Sequence, residues 1–285
     1  MAYDNEPLVT LEEKRTLLRR LTEVDGLERF IHRQYVNVKR FSIEGTDALV
    51  PMLDIAIHDA SAGGTREVVI GMAHRGRINV LAHILGKPYG AIFDEFDGKH
   101  ADLADSETGD VKYHLGFESE RAYEDGRHVR LTLLPNPSHL EVVNPVLMGL
   151  ARARQRTYAR AARVDLDETA VLPILVHGDA SFPGEGVVPE TFNLSALRGY
   201  RVGGSLHIIS NNQVGFTTNP ADSRSTNYAS DLAKGFEVPI VHVNADDPEA
   251  CIAAVRLGIA YRQQFKKDLL IAIDGYRRSG HNEGD

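Results

Sequence analysis

Two dipeptides at the ends of apolar runs carry the strongest chemical signal in the sequence. Leu172-Pro173-Ile174-Leu175-Val176-His177 ends in Gly178-Asp179-Ala180, and Leu206-His207-Ile208-Ile209-Ser210 ends in Asn211-Asn212, with Asp179 and Asn212 33 positions apart. Each run has the length and continuous apolar character of a strand buried on both faces. The stretch between them reads as a loop and then a helix, so crossover geometry makes the strands parallel and puts both residues at carboxyl ends. Open α/β sheets bind ligands in that crevice. Mg2+ takes oxygen donors in an octahedron and usually only one or two carboxylates, leaving positions for phosphate oxygens and water. One Asp carboxylate, one Asn carbonyl and a backbone carbonyl meet that demand. Gly178 and Ala180 are small enough for backbone N–H groups to approach a diphosphate, and Gly184 and Gly186 precede a helix whose N-terminus favours an anion. Either dipeptide alone is more often a turn or a strand-end cap. Two oxygen-donor pairs at consecutive strand ends outweigh that reading.

His74-Arg75-Gly76-Arg77 follows a further apolar run, Glu67–Ala73, and opens a helical pattern. Cationic and hydrogen-bonding side chains at a strand's carboxyl end suit a diphosphate or a carboxylate. Taken alone, the motif reads as a solvated basic helix start. His114 follows Tyr113 in a long polar stretch, Asp97–Asp125, that lacks periodicity; loops of that length are functional or disordered.

The elements that must position these residues alternate along the chain. Strands are expected at Glu67–Ala73, Val129–Leu134, Leu172–His177, Ser205–Ser210, Pro239–Val243 and Asp268–Asp274. Helices are expected at Asp47–Ser61, Arg77–Leu85, Glu141–Arg163, Val187–Arg198 and Pro248–Phe265. This alternation predicts an α/β fold, a doubly wound, mostly parallel sheet with helices on both faces. At the N-terminus, Thr10-Leu11-Glu12-Glu13 fits a capping box, and Leu11, Leu17, Leu18 and Leu21 recur at helical spacing. Asp25-Gly26 is expected to interrupt that helix, with a second running from Leu27 to about Val36. Residues 1–45 are thus expected to form an N-terminal helical segment with a lead-in strand or loop, and residues 46–285 the α/β domain.

Composition bounds the function. With 285 residues, 42% hydrophobic and 25% charged, the chain has ordinary globular composition. A formal net charge of −8 leaves no basic footprint for nucleic acid. No stretch approaches the roughly 20 apolar residues of a membrane-spanning helix, so no membrane role is expected. Met1–Thr10 resembles neither a signal peptide nor an Arg-rich transit peptide. The single cysteine, Cys251, excludes an internal disulfide, fits a reducing compartment and lies in an apolar helical pattern that predicts a packed thiol. Gly184-Glu185-Gly186 lacks the third glycine of a dinucleotide fingerprint, and there is no Gly-x-x-x-x-Gly-Lys or His-Glu-x-x-His run.

Gly-Asp, about thirty residues, then Asn-Asn resembles the signature of thiamine diphosphate enzymes, with Ala180 where the family norm has a second glycine. That departure is the form of the 2-oxoglutarate dehydrogenase branch of the 2-oxo acid dehydrogenases. The resemblance to this branch extends over essentially the whole chain. It is carried by Lys39-Arg40-Phe41-Ser42-Ile43-Glu44-Gly45, Gly71-Met72-Ala73-His74-Arg75-Gly76-Arg77, Gly109-Asp110-Val111-Lys112-Tyr113-His114 and Asn136-Pro137-Ser138-His139-Leu140-Glu141. Asn211-Asn212-Gln213-Val214-Gly215-Phe216-Thr217-Thr218 and Tyr276-Arg277-Arg278-Ser279-Gly280-His281-Asn282-Glu283 complete it.

The resemblance implies thiamine diphosphate and Mg2+ as cofactors, the metal held by the side chains of Asp179 and Asn212 and the backbone carbonyl of Val214. Arg75, Leu140, Ala180, Ser181 and His281 would line the cofactor, with Ala180 and Ser181 offering backbone amides. His74, His114, Ser138 and Phe41 would face a 2-oxo acid, the two histidines meeting the two carboxylates of 2-oxoglutarate in either assignment. The implied reaction is oxidative decarboxylation of 2-oxoglutarate, a tricarboxylic acid cycle step, with succinyl transfer to a lipoyl group on a dihydrolipoyl succinyltransferase. The cofactor would supply the carbanion chemistry and the protein its orientation. The alternatives are the related 2-oxoadipate or another 2-oxo acid dehydrogenase, or a non-catalytic fragment. Family members activate the cofactor with a glutamate from a separate pyrimidine-binding domain, in a homodimer or heterotetramer. No such domain is recognised in these residues, so the chain alone is expected to be inactive. The implied location is the bacterial cytoplasm or the mitochondrial matrix.

Overall fold

Along the buried strands, alternate side chains enter different cores. Val68, Ile70, Leu172, Ile174, Ile208 and Ile271 pack into one apolar cluster. Val69, Val171 and Leu175 enter a second, and Ile209, Leu270 and Ala272 a third. A pleated strand that is apolar at both parities must be covered on both sides. A computed structural model describes residues 9–99, 111–162 and 166–279. Its strands are β1 (Glu67–Met72), β2 (Phe117–Ala122), β3 (His128–Leu133), β4 (Val171–Gly178), β5 (Leu206–Asn211), β6 (Ile240–Asn244) and β7 (Leu269–Asp274). They form one sheet in the order β2-β3-β1-β4-β5-β7-β6. Every described pairing is parallel except β2 with β3. The α/β expectation is met.

The helices are α1 (Leu11–Gln34), α2 (Leu49–Ala62), α3 (Arg77–Asn79), α4 (Tyr89–Phe96), α5 (Val143–Ala162), α6 (Ser181–Gly184), α7 (Val187–Ser195), α8 (Pro220–Ser223) and α9 (Pro248–Phe265). α2 and α9 cover one face with the residues of the first cluster, while α5 covers β1 and β4 on the other. No described helix is long and apolar enough to cross a membrane. Cys251 is fully buried on α9, and burial pushes its thiol up to about 12, so it is a packed, unreactive group.

Three expectations fail locally. Asp25-Gly26 does not break the N-terminal helix: α1 runs unbroken from its Thr10 capping box to Gln34. Gly in a helix interior costs about 1 kcal/mol, and the burial of Val24, Leu27, Glu28 and Ile31 on one stripe outweighs that cost. The helix expected over Arg77–Leu85 is α-helical only to Asn79 and continues as a π-turn, Val80–Ile84. The wider turn places Val80, Leu81, Ile84 and Leu85 together in the core. The expected loop Asp97–Asp125, part of which lies outside the described residues, contains β2. This edge strand alternates half-buried and exposed residues, so its polar sequence lacks an apolar run. Helix α4, the short α6 and α8, and a 3-10 stretch over Ala229–Phe236 add to the expected elements.

Candidate active site

β4 and β5 are in register with Gly178 opposite Ser210, so Asp179 and Asn211-Asn212 leave neighbouring strands at the same level. Asn211 Nδ2 donates to Asp274 Oδ1 at the end of β7 (2.7 Å), fixing the strand end laterally. The backbone then turns sharply: Gln213 N–H donates to Asn211 Oδ1 and Val214 N–H to Asn212 Oδ1, both at 3.1 Å. Gln213 and Phe216 take left-handed conformations, with φ of 62° and 53°. A Cβ on Gly215 would stand 2.7 Å from the Ala180 Cβ, so the loop after β5 is laid directly on the loop after β4.

Asp179 is 4% exposed and Asn212 7%. Burial pushes the Asp179 carboxyl above its ordinary range, against hydrogen bonds from its own and the Asn212 backbone N–H and the nearby Arg224 and Arg75 guanidiniums. No ion pair reaches it among the described residues. A buried carboxylate without a paired cation, beside an amide oxygen with a remaining lone pair, is a donor set for a hard cation. The described residues contain no cluster of three or more His, Cys, Asp or Glu side chains, so a metal here draws its other donors from phosphate, water or backbone.

Beneath this edge lies a buried polar chain. Ser181 Oγ, at the start of α6, donates to Glu141 Oε1 (2.8 Å); Glu141 Oε2 lies 2.7 Å from His177 Nδ1; and His177 Nε2 lies 3.0 Å from His207 Nδ1. Burial opposes the charge on Glu141, yet His177, Ser181 and Asn144 together hold its carboxyl below the usual range. The Ser181 hydroxyl is thus turned inward, toward Glu141 and the Gly178 carbonyl.

The end of β1 carries the second group. His74 is 6% exposed, its ring 4.1 Å from that of Phe41, and Ser138 Oγ is 3.1 Å from His74 Nδ1. Phe41 packs edge-on to the buried Tyr113 at 5.0 Å. Asn136 Nδ2 donates to Met72 O at the end of β1 (2.8 Å) and also to Ser138 O, while its backbone N–H donates to His114 O (3.0 Å). His74, Phe41, Ser138 and the His114 backbone thus share one wall. Leu140 is exposed on the turn between Ser138 and Glu141. Phe41, Ser138 and Glu141 are left-handed, with φ of 45°, 67° and 59°. Non-glycine residues held in that region cluster where the surrounding structure over-determines them.

Arg75 and Arg77 separate. Arg75 Nη1 donates to Ser42 O (3.0 Å) and its charge acts on Asp179, so it stands on the same edge as that carboxylate. Arg77 does not. It is fully buried, and its guanidinium donates to the carbonyls of Met72, Leu115 and Leu134, tying together the ends of β1 and β3 and the segment before β2. Burial lowers its pKa to about 10, so it stays charged while serving as a structural clamp. His281 lies outside the described residues.

Residues 19–285 match the family described as dehydrogenase E1 component. The chain belongs to that family. The chain is 58% identical over 284 residues to the 2-oxoglutarate dehydrogenase E1 component of Bacillus subtilis (strain 168), covering 96% of this chain and 30% of that protein. It is 57% identical over 291 residues to the 2-oxoglutarate dehydrogenase E1 component of Geobacillus kaustophilus (strain HTA426), covering 98% and 30%. The chain therefore spans about a third of the length of these relatives.

The folded chain brings further residues to this candidate site. Tyr113, Asn136 and His139 lie in the same motifs as His114, Ser138 and Leu140, so the motifs themselves are their sequence signal. His139 Nδ1 lies 3.0 Å from Ser138 Oγ. Arg224 had no local signal: it lies in a polar stretch after Pro220, and only the folded chain brings it near Asp179.

Proposed function

We propose that this chain binds thiamine diphosphate through Mg2+ and serves the oxidative decarboxylation of 2-oxoglutarate. The observation that carries the reading is the buried Asp179 carboxylate, unpaired by any described cation, level with Asn212 on the adjacent parallel strand. Asp179, Asn212 and the Val214 carbonyl would hold the metal; Arg75 and the backbone N–H groups of Ala180 and Ser181 would meet the diphosphate. Thiamine diphosphate, when bound, supplies the electron sink for decarboxylation. Phe41 and Leu140 present apolar surface to it. His74, oriented by Ser138, and His114 supply hydrogen bonds to the substrate's carboxylates, and the enclosed position of His74 excludes water from one side. His281 is assigned to the cofactor on family resemblance alone.

Residues 46–285 are assigned to the diphosphate- and metal-binding domain and residues 1–45 to an N-terminal addition, whose described helix α1 packs against α2. The remaining machinery comes from a pyrimidine-binding half, which supplies the activating glutamate, and from a lipoyl-bearing succinyltransferase that accepts the succinyl group. The working assembly is a homodimer or heterotetramer.

Thermal melting of the 285-residue chain tests the site. Mg2+ with thiamine diphosphate raises the melting temperature, as any ligand of the native state does, and Asp179→Ala abolishes the rise. An intact chain that shows no rise would overturn the assignment. For substrate, the chain mixed with a pyrimidine-domain chain decarboxylates 2-oxoglutarate in preference to 2-oxoadipate.

A further inference from the structure

Among the described residues the fully buried arginines spend their donors, and the half-buried Arg224 contrasts with them. Arg77 serves three carbonyls, Arg262 serves those of Gly204, Glu168 and Val171, and Arg40 serves Glu28 and Glu44. Arg224, at the C-terminal end of α8, has its Nε and Nη1 atoms buried with no hydrogen-bond partner. Removing charged N–H donors from water without an acceptor is costly, and native structures tolerate it where an acceptor arrives from outside. The acceptor's location follows from the fold. Arg224 lies on the segment that descends from β5 past Asn212, and its charge acts on Asp179, as Arg75 does from the other side of that carboxylate's strand.

We propose that Arg224 is an anion-binding residue of this site, donating from its buried Nε and Nη1 to the cofactor's diphosphate oxygens not taken by the metal. This rests on reading Asp179 and Asn212 as the metal end of a diphosphate site. Charge balance favours the diphosphate over the substrate. A diphosphate monoester carries about three negative charges at neutral pH, while Mg2+ and the Asp179 carboxylate together add about one positive. Two guanidiniums, Arg75 and Arg224, then bring the enclosed charge to about zero. The substrate-facing wall of Phe41, His74 and Ser138 lies at the end of β1, one strand further along the sheet than β4, whereas Arg224 follows β5.

Calorimetric titration of the whole chain with Mg2+–thiamine diphosphate, Mg2+–pyrophosphate and 2-oxoglutarate tests this. Arg224→Gln weakens both diphosphate ligands by about 10- to 100-fold, the range for losing charge-assisted hydrogen bonds, and Arg224→Lys recovers part of the loss. The ligand-free melting temperature of Arg224→Gln equals or exceeds that of the wild type, because an unpartnered buried charge has been removed; a structural arginine would give a lower one. Wild type and Arg224→Gln binding Mg2+–thiamine diphosphate alike would overturn the inference and leave the proposed function standing. A loss confined to 2-oxoglutarate would also overturn it. Failure of the wild type itself to bind Mg2+–thiamine diphosphate would overturn the proposed function and this inference with it.

Discussion

Glu141 Oε2 stands 2.7 Å from His177 Nδ1, in the interior directly under the loop that begins α6. The same carboxylate accepts the Ser181 hydroxyl, so one buried group links the left-handed turn after Ser138 to strand β4 and to the Ala180-Ser181 backbone. Glu141→Gln keeps the shape but removes the charge that His177 faces. Its expected cost is about 1–3 kcal/mol of folding stability, read from urea unfolding, whereas Glu141→Ala, which strands His177 and Ser181, costs about 3–5 kcal/mol. Equal stability for all three proteins would show that the network carries no weight.

His207 gives a pH test. Burial, with the neighbouring His177, holds its pKa well below 6.5. In the unfolded chain it titrates near the ordinary value, so below about pH 6.5 the unfolded state takes up a proton that the folded state refuses. Stability is therefore lost as pH falls through that value. Between about pH 7 and 5.5 the wild type loses about 1 kcal/mol more than His207→Gln, measured by denaturant titration at each pH.

Without Arg77 the carbonyls of Leu115 and Leu134 lose their guanidinium donors, while Met72 O keeps the Asn136 amide. Neither Lys nor Met reproduces a planar donor set, so Arg77→Lys and Arg77→Met each lower stability by more than about 3 kcal/mol. The shift of the denaturation midpoint measures this. A loss of ligand binding with unchanged stability would reverse the assignment and return Arg77 to the site.

Gly45 and Gly275 lock two loops together at the strand ends. A Cβ at Gly45, where φ is 99°, would meet the Tyr276 carbonyl oxygen at 2.1 Å, and one at Gly275 would meet the Gly45 carbonyl oxygen at 2.2 Å. Both obstacles are backbone, so relief requires the loops to part. Gly45→Ala and Gly275→Ala each cost at least about 2 kcal/mol, and amide exchange near Ser42–Thr46 accelerates.

The sequence made the sheet and its ligand-bearing edge legible because both rest on strong local signals. Continuous apolar runs marked β1, β4, β5 and β7, and the residues that follow such runs are the ones that line the crevice. Asp179 and Asn212 needed only crossover handedness to be placed side by side. Effects decided by packing were not legible. The stripe containing Val24 and Leu27 carries α1 through Asp25-Gly26, and the half-exposed β2 has no apolar run to announce it. Arg75 and Arg77 look equivalent in sequence, two positions apart, yet one reaches the site and the other is buried among carbonyls. The left-handed conformations of Phe41, Ser138 and Glu141 leave no trace in their residue types, since glycine or asparagine would ordinarily mark them. Arg224 depends on a tertiary approach that no spacing rule describes.

Those left-handed residues, with Gln213 and Phe216, have a kinetic meaning. The unfavourable torsions are imposed when the chain folds, before any ligand is present, so the rim's curvature is already set at encounter. Little loop ordering then remains for the binding step. Association with the chain is therefore expected to be governed by diffusion and by charge, slowing as ionic strength rises, with no slow isomerisation phase after contact.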